Sequence, residues 1–137
     1  MRRFIMLTFC VILMASLFCG PVKATTYSSD YLRTYDASLS TGSSSGLSLT
    51  FSARARYSMS SIGISRILVY SDDGSYVKTI TGSTSNGLLA SNMSSHEGTY
   101  AISATSGQKY YLEVTFTAKD SSGSDSKTLT TNTATAK

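Results

Sequence analysis

Tryptophan is absent from the 137-residue chain, proline and histidine occur once each, and cysteine occurs twice. What these shortages exclude depends on where the few residues lie. Cys10, Cys19 and Pro21 all precede residue 25. They fall in a segment that reads as a secretory signal peptide: Arg2 and Arg3, an apolar run from Phe4 to Phe18, then the small-residue stretch Val22-Lys23-Ala24. The run is 15 residues long, short of the ~20 that cross a bilayer as a helix, and no second apolar segment follows. Cleavage near Ala24 would leave a chain starting at about Thr25, without a disulfide, a cysteine metal site or a thiol nucleophile. A lipid-modified Cys19 is the competing reading, but Phe18 stands where such sites take a small residue.

Charge of one sign is also scarce once the leader is set aside. Three of the twelve basic residues, Arg2, Arg3 and Lys23, belong to the leader and none of the eight acids does, so the formal charge falls from +4 to +1. The usual argument from basicity to nucleic acid or to an anionic membrane therefore fails. His96 has no second histidine with which to build a metal site, and Glu97 beside it adds little, so it reads as a solvent-exposed loop residue. Neither a metal nor a cofactor is expected. The remaining 113 residues must be held by their core, and a chain of that length buries roughly two thirds of its unfolded surface. The expected organisation is a signal peptide at 1–24, a flexible N-terminus at 25–30 and one domain at 31–137.

Serine and threonine supply 43 of those 113 residues, spread evenly, alongside nine glycines and all nine tyrosines. Disorder is the alternative for so polar a chain, and the tyrosines with a regular apolar period argue against it. Leu47, Leu49, Phe51, Ala53, Ala55 and Tyr57 alternate with polar residues, which predicts a strand with one buried face. Ile67 and Val69 continue the device after Gly63, where the parity breaks and Ile62 is expected to plug the core from a turn. Asp72-Asp73-Gly74-Ser75 predicts a hairpin turn into Tyr76 to Ile80. A loop is expected over 81–97, anchored by Leu88 and Leu89, then a strand marked by Tyr100 and Ile102. In "GQKYYLEVTFTAKD" Tyr110, Leu112, Val114, Phe116 and Ala118 point inward, and Lys109, Tyr111, Glu113, Thr115, Thr117 and Lys119 outward. "SSGSDS" turns into a last, Thr-rich strand ending near Ala136, and "YLRTYDASLS" supplies the first.

About seven short antiparallel strands and no helical period fit an all-β, two-sheet sandwich better than a closed barrel. Tyr110, three residues after Gly107 at the start of a late strand, resembles the tyrosine corner of immunoglobulin-like and fibronectin type III-like sandwiches. The missing disulfide and core tryptophan favour the fibronectin-like branch or a generic sandwich. "SSIGISRILVYSDDGSYVKTI", "SNMSSHEGTY" and "GQKYYLEVTFTAKDSSGSDSKTLTTN" together resemble a family of short, signal-bearing proteins of unknown function secreted by Gram-positive, Firmicutes-type bacteria. That resemblance implies an extracellular location and supplies no catalytic residue.

Gly42-Ser43-Ser44-Ser45-Gly46 matches G-x-S-x-G, and Asp72 or Asp73 and then His96 follow in hydrolase order. A nucleophile elbow needs a helix after its serine, and here a strand is expected, so no catalytic residue is assigned. Asp72-Asp73-Gly74 lacks the ligand spacing of a calcium loop. Asn92-Met93-Ser94 fits a glycosylation acceptor, relevant only to a eukaryotic source. The remaining candidates are aromatic: Tyr70 and Tyr111 are expected to face outward and to form a patch for an extracellular protein or surface component, or alternatively for a glycan. The absence of tryptophan weighs against the glycan. A secreted, non-enzymatic binding protein is the expected function, and the oligomeric state is not legible.

Overall fold

The computed structural model describes residues 31–137; the expected signal peptide and flexible 25–30 segment lie outside the described residues. Two antiparallel sheets face each other across one core. The first has the order β1 (Leu32–Thr41), β2 (Leu47–Met59), β6 (Met93–Ile102). The second has the order β4 (Tyr76–Thr81), β3 (Ser61–Ser71), β7 (Lys109–Lys119), β8 (Ser124–Thr130). Two short strands complete it: β5 (Leu89–Ala90) pairs with β3, and β9 (Ala134–Thr135) pairs with β7.

β7 is the spine of the second sheet. All five of its inward side chains, Tyr110, Leu112, Val114, Phe116 and Ala118, are buried, and they meet Leu32, Tyr35, Leu47, Leu49 and Phe51 of the opposite sheet in one cluster. Tyr35 of β1 and Phe116 of β7 pack at 5.4 Å between ring centroids. Burying such rings is worth roughly 1.5–3 kcal/mol each, which a domain without disulfides depends on.

Four sequence expectations are corrected. Tyr57 does not continue the buried face of β2: it is 63% exposed, because pairing with β6 slips between Arg54 and Met59 and turns it outward. Ile62 is not on a turn but within β3, and the parity break lies at the bulge between Ile64 and Arg66 rather than at Gly63. Gly63 has a different task. It sits at φ +136, and a Cβ there would strike the carbonyl oxygen of Leu88, which accepts a 2.7 Å hydrogen bond from the Ile64 amide. The loop expected over 81–97 is shorter, since β6 already begins at Met93. Finally, the last strand is split: Thr131 exchanges bonds with Leu112, and Asn132 turns away to pair its amide with the Leu39 backbone of β1 at 3.0 and 2.8 Å. That side chain, together with the Thr41 hydroxyl of β1 donating to the Thr135 carbonyl of β9 at 2.9 Å, links the two sheets along one edge of the molecule.

Candidate functional site

Outward positions on adjacent strands of the second sheet fall in rows, because paired residues of antiparallel strands share a face. Tyr70 of β3 is opposite Tyr76 of β4 on one side and Tyr111 of β7 on the other. The three rings form one row. Tyr70 and Tyr111 are stacked at 5.3 Å with 12° between planes, and Tyr76 meets Tyr70 at 6.1 Å and 73°. Tyr76 is 59% exposed. Tyr70 and Tyr111, the two residues expected from sequence, are half-buried against each other rather than open to solvent. The next row contains Leu68 and Glu113. Burial among its neighbours pushes the Tyr70 phenol up from its ordinary value, and the Glu113 carboxylate and the Tyr111 ring push it the same way.

The β3–β4 turn closes over one end of this row. Asp73 accepts hydrogen bonds from the Ser71 hydroxyl at 2.5 Å and the Ser75 amide at 2.9 Å, which lower its carboxyl from the ordinary value. Gly74 takes φ +86 and lies against the Tyr111 hydroxyl. Tyr76 and Glu113 were not singled out from sequence as site residues. A regular hairpin turn at Asp72–Ser75 would set Ser71 opposite Tyr76, and it is the register shift between Val69 and Tyr70 that brings Tyr76 opposite Tyr70.

Tyr110, one residue from Tyr111, lies on the other side of the sheet. It is 3% exposed, and its hydroxyl accepts the Thr105 amide at 3.2 Å and donates to Gln108 Oε1 at 3.2 Å. A buried phenol left unpaired would cost about 1–3 kcal/mol.

His96 is a further correction. It stands in β6, not in a loop, with its ring edge-on to Phe51 at 5.3 Å and its Nε2 2.7 Å from the Gly87 carbonyl oxygen. A carbonyl only accepts, so Nε2–H donates, and the bond pins the 82–92 segment to the sheet. The G-x-S-x-G residues form the tight connection between β1 and β2, closed by Gly42 N–H to Gly46 O at 3.0 Å, with a strand and no helix after it. His96 pairs with Ala53 and this connection ends at Leu47, a separation of roughly 20 Å along the strand. These residues do not meet as a triad. Among the described residues no group of three or more His, Cys, Asp or Glu side chains is placed to hold a metal ion, and no helix is long and apolar enough to cross a membrane. No protein-family model, curated protein or solved structure matches the chain.

Proposed function

We propose that the protein is a secreted, non-enzymatic binding module of the immunoglobulin-like, fibronectin type III-like kind, and that the outer face carrying Tyr70, Tyr76 and Tyr111 docks a protein partner outside the cell. The strand partition supports the fold assignment: the first, second and sixth strands share one sheet and the third, seventh and eighth the other, with β4 added at the edge of the latter. The hydroxyl of Tyr110, bonded to a backbone amide five residues upstream, fits the tyrosine-corner role. The leader-like segment and the likeness to secreted Gram-positive proteins support the location.

The observation that carries the docking reading is the aromatic row. It offers rigid, amphipathic side chains on a sheet, the residue type that dominates protein contact surfaces. A protein partner is favoured over a glycan because a sugar ring stacks on an open aromatic face, whereas Tyr70 has a ring on each side. The double variant Tyr76→Ser, Tyr111→Ser tests it. It is expected to lose binding to extracellular and cell-surface proteins, measured by surface capture, while a thermal melt stays cooperative. Undiminished capture would remove the face from consideration.

A further inference from the structure

The aromatic row is bordered by carboxylates, of which Glu113 accepts a hydrogen bond from the Tyr70 hydroxyl. Asp72 and Asp73 lie in the turn at one end of the row, and Glu113 lies one row below Tyr70 on the same face. The Asp73 carboxylate is occupied by the turn. Among the described residues, no hydrogen bond reaches the Asp72 carboxylate or the Tyr111 hydroxyl. The opposing charges are fewer: Lys109, beyond Tyr111 on β7, whose carbonyl accepts from the Asp72 amide, and Arg66, two rows from Tyr70, opposite Thr115. Lys78 is turned away, its Nζ donating to the Ser103 carbonyl. On β8, the outward residues opposite this part of β7 are Thr128 and Thr130, which carry no charge.

The chemistry such a surface suits is narrow. Carboxylates only accept hydrogen bonds, so their partner must donate. Ring edges and hydroxyls suit an apolar stem with a polar end, and a planar guanidinium supplies five donors on such a stem. We propose that the face formed by Tyr70, Tyr76, Tyr111, Glu113 and Asp72 receives an arginine side chain presented by an extended segment of the partner protein. This rests on the docking reading above and names the chemistry of what docks. A partner presenting carboxylates would meet Glu113 and Asp72 as like charges and be disfavoured.

The probe is a pair of five-residue peptides, acetyl-Gly-Arg-Gly-Arg-Gly-amide and its glutamate counterpart, titrated into the isotope-labelled protein and followed by amide and tyrosine-ring NMR shifts. The arginine peptide is expected to give saturable shifts confined to residues 68–76 and 109–113, weakened by added salt. Glu113→Gln at a half-buried position and Asp72→Asn at an exposed one are each expected to weaken binding roughly two- to fivefold, as the loss of one surface charge contact does. Their spectra away from the site should match the parent, which checks the fold. If the glutamate peptide moves the same tyrosines equally, the docking face stands and the arginine assignment falls. If the arginine peptide shifts residues all over the surface, or if both acid variants bind it as well as the parent does, the inference is overturned. Loss of surface capture in the double tyrosine variant is read separately, so failure of the docking reading is distinguishable from failure of the arginine assignment.

Discussion

β7 and β6 are strands of similar length with the same alternating build, yet one is transparent in the sequence and the other is disguised. β7 is central, flanked by β3 and β8, so its inward positions have neighbours on both sides, and all five are apolar or aromatic and buried. β6 is an edge strand paired only with β2, and its inward positions are His96, Gly98, Tyr100 and Ile102, of which only Ile102 is fully buried. Hydrophobic alternation reports how enclosed a strand is, not merely whether a strand exists. At an edge, a histidine can serve as a core residue if its polar end finds a carbonyl, as His96 does with Gly87.

The contrast breaks most visibly at Phe116. Phe116→Ala removes a fully buried ring in contact with Tyr35 and is expected to cost about 3–5 kcal/mol in chemical denaturation. Thr115→Ala, next door on the outer face, is expected to cost under about 0.5 kcal/mol. Similar losses at the two positions would mean that β7 does not separate inside from outside.

His96→Ala sharpens the comparison from the other strand. It deletes the contact with Phe51 and leaves the Gly87 carbonyl without its donor, at an expected cost of about 1–3 kcal/mol. The effect should be local as well as global. Amide hydrogen exchange is expected to quicken first at Leu88 and Leu89, which the histidine pins. A variant as stable as the parent, with unchanged exchange there, would return His96 to the role of a surface residue.

The smallest expected effect lies on the outer face, at Tyr70. Its phenol holds its proton above the ordinary value of 10.0, through burial first and Glu113 second. The folded state therefore keeps a proton that the unfolded chain gives up. The resulting contribution to stability is whole below pH 10 and disappears as pH rises through the folded-state value. Tyr70→Phe should remove this part of the alkaline loss, seen as a flatter stability curve above about pH 10 than in the parent. Parallel curves for the two proteins would show that the Tyr70 phenol is not held above its ordinary value.

Several parts of this protein are determined by local sequence alone. The inward and outward residues of β7, the turn at Asp72–Ser75 and the buried role of Tyr110 follow from a two-residue period and from turn chemistry, both properties of a few consecutive residues. The row of tyrosines was half legible: Tyr70 and Tyr111 followed from alternation, but their stacking and the addition of Tyr76 depend on which strands are neighbours and in what register. The same holds for what was misread. Tyr57 turns outward because β2 slips against β6, the parity of β3 shifts at a bulge against β7, and Gly63 is needed because the Leu88 carbonyl comes close. Each of these is settled by a residue distant in the chain. Local periodicity determines what a strand has to bury, and only the tertiary arrangement decides which strand lies beside it, because register and approach distance are properties of pairs.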